Sequence, residues 1–237
     1  MSKAESALSQ YIIGLSKIFR EKNIFYTVLR NGENLPEITT RDVDLIFRIG
    51  NRNGVINTCF KLANDLEINI AIHKNTPKHV KCLLSNSVCM VQLDLFFSEA
   101  FWGITYFEPD SSKVVLNRGG IVVLDQVSQA ESILSTYMLR GYTKRRYLSG
   151  LKVVLTNDES ESVLSRRLEK VFSNSTYDLA KNHILNGTLT LPKRLYFLNR
   201  YLLASRKIRN PIKFAIEVSK FIIKRCIDSM SIKGKLI

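Results

Sequence analysis

Long apolar runs, paired cysteines and clustered histidines are all missing from this 237-residue sequence, and each absence closes off a class of protein. No stretch approaches the ~20 apolar residues needed to span a bilayer. The opening MSKAESALSQ lacks the basic segment, apolar run and cleavage site of a secretory signal. The four cysteines, Cys59, Cys82, Cys89 and Cys226, form no C-x-x-C pair and no metal-ligand spacing. A reducing cytoplasm is therefore expected, with free thiols packed in the core. The histidines, His73, His79 and His183, are scattered. Neither a zinc site nor a histidine-based triad is evident, and ordinary structural roles are expected of them. No G-x-x-x-x-G-K-[ST] phosphate loop occurs, which argues against kinase activity.

What is present is a globular composition with an uneven charge. The chain is 45% hydrophobic and 24% charged, enough for one large domain or two small ones. Residues 1–126 hold 14 Lys and Arg against 13 Asp and Glu, whereas residues 127–237 hold 21 against 8. A near-neutral front and a strongly basic back imply two parts, the second suited to an anionic partner.

The hydrophobic pattern agrees with that division. Residues 4–20 repeat at helical spacing through Leu8, Tyr11, Ile12, Leu15 and Phe19. Ile24–Leu29, Val43–Ile49, Ile68–His73, His79–Leu84 and Val88–Phe97 read as strands, with a helix at Val55–Leu66. Val114–Leu116 and Ile121–Leu124 predict a hairpin around Asn117–Gly120. From Gln126 onward the period is helical, with five or six helices; Leu195, Phe197, Leu198, Tyr201 and Leu202 are expected to share one apolar face. The predicted fold is α+β: a mixed β-sheet with flanking helices over 1–126, then a basic α-helical domain over 127–237.

Asp42-Val43-Asp44 stands where a loop enters a strand. Side chains two apart on a strand point the same way, so both carboxylates converge on one face of the sheet. Like charges this close raise one pKa unless a cation intervenes, and oxygen ligands suit Mg²⁺ or Mn²⁺. Asp94 interrupts the apolar run Val91-Gln92-Leu93-Asp94-Leu95-Phe96, where an unpaired carboxylate is costly. Three aspartates on neighbouring strands can hold two metals ~4 Å apart for chemistry on phosphate.

Two runs carry a family resemblance: Tyr26–Pro36 followed by Arg41-Asp42-Val43-Asp44-Leu45-Ile46, and Gln92-Leu93-Asp94-Leu95-Phe96 followed by Phe101-Trp102-Gly103. The chain resembles the nucleotidyltransferases of the DNA polymerase β superfamily over residues ~5–125. It is most similar to the branch associated with bacterial surface-polysaccharide genes, often fused to a thymidylate-kinase-like domain. The resemblance implies a nucleotidyltransferase-like fold, metal binding by Asp42, Asp44 and Asp94, and a base role for Asp94 toward an acceptor hydroxyl. It implies transfer of NMP from an NTP to a small acceptor such as a sugar or polyol phosphate. Where most such enzymes carry Gly-Ser after the first strand, this sequence has Arg30-Asn31-Gly32. Arg30 can hold phosphate bidentately and Gly32 permits close backbone approach; a plain turn with a solvated Arg is the alternative.

With Arg41 and the Lys144-Arg145 pair of the basic region, these complete the candidate nucleotide contacts: Arg30, Asn31, Gly32, Arg41, Lys144 and Arg145. A solvated charge run is the ordinary reading of Lys144 or Arg145 taken singly. Pro211–Met230 is a basic amphipathic segment that fits packing on its own domain, an anionic membrane surface, or a separate kinase or transferase chain. Nucleic acid ranks lower, since no RNA-binding motif is found. Two rival functions stay open: a non-catalytic nucleotide- or partner-binding protein of glycan assembly, and the nucleotidyltransferase toxin of a toxin–antitoxin pair.

Overall fold

The computed structural model describes residues 3–30, 32, 35–36, 42–48, 52–86, 90–97, 99–101, 104–117, 119–207 and 219. Asn31, Arg41, Cys89, Trp102, Gly103, Cys226 and, apart from Ser219, residues 211–230 lie outside them.

Helix α1 (Lys3–Glu21) leads into β1 (Tyr26–Arg30), β2 (Asp42–Phe47), α2 (Arg52–Asp65), β3 (Asn69–Thr76), β4 (His79–Ser85) and β5 (Met90–Phe96). A small separate hairpin, β6 (Glu99–Phe101) and β7 (Ile104–Phe107), precedes β8 (Val114–Leu116) and β9 (Val122–Leu124). Helices α3 (Gln126–Arg140), α4 (Leu148–Thr156), α5 (Asp158–Glu169), α6 (Asn174–Leu185) and α7 (Lys193–Lys207) follow. The seven-stranded sheet runs β3-β4-β5-β2-β1-β9-β8. It is mixed: β2 with β5 and β1 with β9 are parallel, the remaining pairs antiparallel. The α+β class and the helical C-terminal region are as the periodicity predicts.

Strand alternation divides this sheet into two unlike faces. Val43, Leu45 and Phe47 of β2, with Leu93 and Leu95 of β5, are buried against α1 and α2 through Leu8, Tyr11, Leu15, Phe19, Val55 and Cys59. Each such side chain contributes about 1.5–3 kcal/mol on burial. The opposite face carries Leu29, Ile46 and Leu124 into a second core with Leu134, Tyr137 and Met138 of α3 and with residues of α4 to α6. Asp42, Asp44, Gln92 and Asp94 alternate with the first set and so belong to this second face.

Helix α3 sets the geometry of that face. Asp125 caps its start by accepting the Ser128 N–H at 2.6 Å. Gly141 ends it in the left-handed region (φ 81°), its N–H donating to Tyr137 O. A Cβ there would lie 2.4 Å from the Tyr196 ring of α7, so only glycine fits both the backbone and the neighbour. Buried Glu131 ties α3 to Lys113 before β8 (3.2 Å) and to Arg167 of α5 (3.3 Å).

Helix α7 departs from its predicted face. Phe197, Leu198 and Tyr201 are exposed, while Asn199 and Leu203 are buried. The reason is polar: Asn199 Nδ2 donates to Met138 O (3.1 Å) and Arg200 Nε to Leu139 O (2.8 Å). The helix is turned so that these donors satisfy the last carbonyls of α3. Apolar spacing alone does not register that pull.

Candidate active site

The parallel pairing of β2 with β5 sets Asp42 opposite Gln92 and Asp44 opposite Asp94. On the outer sides, Lys81 of β4 pairs in register with Asp94, and Arg30 of β1 with Asp44. Four adjacent strands thus carry one transverse row: Lys81, Asp94, Asp44, Arg30. Two carboxylates stand side by side at its centre, 6% and 8% exposed, with a cation at each end. Burial this deep makes the flanking charge a necessity.

Asp94 is held by three donors. His79 Nε2 lies 3.0 Å from Oδ1, and because an ionised carboxylate can only accept, the imidazole donates. Gln92 Nε2 donates to Oδ2 at 2.7 Å, and Lys81 Nζ lies 3.6 Å from the same oxygen. Burial works against the charged form, but the His79 contact, then Lys81 and Gln92, outweigh it and hold Asp94 below its ordinary value. A carboxylate so held is a poor proton acceptor and a good holder of positive charge. The His79 ring stacks flat on Phe96, centroids 4.3 Å apart, which fixes its orientation.

Asp42 begins β2 on the same face and is more exposed, its side chain at 26%. Arg146, 104 residues away in sequence, grips it with two contacts: Nη1 to Oδ1 at 3.4 Å and Nη2 to Oδ2 at 3.2 Å. Lys144 Nζ stands 4.0 Å from Oδ2. Arg146 also donates to Tyr147 Oη (3.0 Å) and lies over that ring. Burial alone lowers the Arg146 pKa, but the bonds to Asp42 and Tyr147 reverse that and raise it. A pair this exposed contributes about 0–1 kcal/mol to stability, so exchanging it is inexpensive.

No family model matches the chain, and no curated protein does. Two solved structures are similar to it. One is JHP933 from Helicobacter pylori: 15% identity, 91% of this chain and 100% of that chain covered, TM-score 0.45. The second is a H. pylori protein proposed to be a nucleotidyltransferase: 14% identity, 89% and 99% covered, TM-score 0.46.

The predicted site residues are distributed unevenly over this geometry. Asp44 and Asp94 come together; Asp42 lies two residues along the same strand face. Arg30 reaches across to α3, where Nη2 donates to Ser132 Oγ (3.2 Å) and Thr136 Oγ1 (3.4 Å). Gly32 is buried, and a Cβ on it would lie 2.6 Å from Val123 Cγ1. Its carbonyl accepts from Asn117 Nδ2 at 2.7 Å, which ties the turn to the β8–β9 hairpin. Arg145 is exposed, and its side chain makes no ion pair or hydrogen bond among the described residues. Its neighbour Arg146, not predicted, is the residue that reaches Asp42. Lys144 in extended backbone (ψ 141°) followed by the 3₁₀ turn Arg145–Tyr147 brings Lys144 and Arg146, not Arg145, to Asp42, a conformation that the residue pattern does not announce. His79 and Lys81 were missed too; they alternate on β4 as Gln92 and Asp94 do on β5.

The chemistry of the donor set suits a hard divalent cation, since all three aspartates offer carboxylate oxygen. Position is a separate matter. Among the described residues no three His, Cys, Asp or Glu side chains are grouped to hold a metal ion. Basic side chains instead stand against Asp42 and Asp94. Asp42 must give up the Arg146 fork before it can ligate. Among the described residues, no helix is long and apolar enough to cross a membrane.

Proposed function

We propose that this chain is a metal-dependent nucleotidyltransferase that transfers NMP from an NTP to a small phosphorylated acceptor, a sugar or polyol phosphate used in surface-polysaccharide assembly. One observation carries the reading: buried Asp44 and Asp94 lie in direct register, with the more exposed Asp42 beside them, faced by Lys144 and Arg146. Two adjacent buried carboxylates are expensive to maintain, and cationic chemistry on phosphate is what such a pair is suited to.

In the transfer, an acceptor oxygen from a hydroxyl or a phosphate attacks the α-phosphorus. The bond from that phosphorus to the bridging oxygen breaks, pyrophosphate leaves, and the proton of a hydroxyl acceptor passes to water. Asp42, Asp44 and Asp94 would hold a divalent cation, which when bound would neutralise the negative charge that develops in the transfer. Lys144 and Arg146 hold phosphate oxygens beside Asp42. His79, Lys81 and Gln92 keep Asp94 ionised and fixed. Arg30 braces the row against α3.

The test is pyrophosphate release by the full chain with Mg²⁺, each NTP in turn and a panel of sugar and polyol phosphates. Asp42→Asn and Asp94→Asn are expected to abolish it. Turnover unchanged in both variants would sink the mechanism.

A second reading is favoured by the ion pairs already formed on Asp42 and Asp94 and by Arg30-Asn31-Gly32 standing where Gly-Ser is usual. On it, the chain binds nucleotide or a glycan-assembly enzyme without catalysis. Calorimetric binding of NTP with Mg²⁺, without pyrophosphate release for any acceptor, supports this alternative.

A further inference from the structure

Around the three aspartates the protein has already supplied its own cations. Lys81 and Arg30 flank the buried pair in register, and Lys144 and Arg146 face Asp42. A divalent ion added to this face brings two more positive charges and contests Asp42 with a guanidinium. Something anionic must arrive with it.

The segment bearing Arg146 is anchored through its backbone, while its basic side chains are partly exposed. Thr143 N–H donates to Leu189 O (3.0 Å), and Leu191 N–H to Gly141 O (2.7 Å). The Arg146 side chain is 37% exposed and Lys144 59%. Tyr147 supports the guanidinium through its ring and its hydroxyl. A phosphate in the solvent beside this fork presents the same pair of acceptor oxygens as the carboxylate.

We propose that Arg146 makes cation binding at Asp42 conditional on a polyphosphate: without one the guanidinium occupies the carboxylate, and with one it transfers to phosphate oxygens. This rests on the reading of Asp42 as a cation ligand. Each ligand alone meets an opponent, the cation meeting Arg146 and the polyphosphate meeting Asp42. Together they remove each other's opponent, and the coupling is reciprocal by linkage.

Two single-ligand titrations of the full chain test this: Mn²⁺ alone, and a non-hydrolysable NTP analogue alone in a chelator. Arg146→Gln is expected to bind Mn²⁺ about tenfold more tightly than wild type, within the usual range of coupling between sites. Asp42→Asn is expected to bind the metal-free analogue more tightly by a similar factor, because its guanidinium is released. Arg146→Lys, which keeps charge but not the fork, falls between wild type and Arg146→Gln for Mn²⁺. Mn²⁺ affinity unchanged in Arg146→Gln, with thermal unfolding like wild type, overturns the proposal. If the gain survives in the Asp42→Asn/Arg146→Gln double variant, the ion is not at Asp42, and the underlying cation reading fails instead.

Discussion

His79 donates through Nε2 to Asp94 over 3.0 Å while its ring lies parallel to Phe96, so one side chain both satisfies a buried carboxylate and covers an aromatic face. Its side chain is only 16% exposed.

Replacing it removes a donor that water cannot easily replace. His79→Ala is expected to destabilise the fold by about 1–3 kcal/mol, the cost of leaving a buried acceptor short of a partner. Denaturant titration measures this. A change below about 0.5 kcal/mol would mean that Lys81 and Gln92 suffice.

Gly32 gives a steric prediction. With Val123 Cγ1 2.6 Å from any Cβ at that position, Gly32→Ala is expected to cost about 1–3 kcal/mol through overpacking. Adding Val123→Ala opens the space, so the double variant should show a favourable coupling energy in a double-mutant cycle. Strict additivity would refute the contact.

Acidification should loosen α5 from α6. Glu161 accepts from Lys181 Nζ at 2.8 Å and from Tyr177 Oη at 2.9 Å. The Lys181 bond comes first among the influences on its pKa; burial opposes it, Tyr177 adds to it, and the carboxyl is held below its ordinary value. The folded state therefore binds this proton less readily than the unfolded state. The stabilisation is fully present above the unfolded value of about 4.3 and is lost as pH falls through the lower folded value. Thermal unfolding followed from neutral pH to about 3 should fall less steeply in Glu161→Gln than in wild type. Parallel curves would exclude the linkage.

The elements themselves were largely legible from the residues. Apolar spacing places a helix over 4–20 where α1 spans Lys3–Glu21, and the Asn117–Gly120 turn joins β8 and β9 as expected. Such signals are local, carried by periodicity within a dozen residues. The hairpin of β6 and β7 escaped because Glu99–Phe101 carries a charge and no β-branched residue, unlike the equally short Val-rich β8 and β9. The aspartates were legible as types in a strand. Their neighbours were not: that Lys81 lies opposite Asp94 depends on the register of β4 with β5, and that Arg146 reaches Asp42 depends on how α3 ends at Gly141. Arg30 shows the same limit, since Ser132 and Thr136 become its partners only once α3 packs over the sheet.

The transverse row from Lys81 to Arg30 also bears on how the chain finds its fold. Each member comes from a different strand, so the row exists only when β4, β5, β2 and β1 are all paired correctly. A slip of β5 by one residue would drive Asp94 into the apolar layer above α1 and α2 and bring Leu93 and Leu95 out among the charges. Misaligned sheets therefore meet a steep penalty at their centre, and the residues proposed for phosphate chemistry double as a lock on strand alignment.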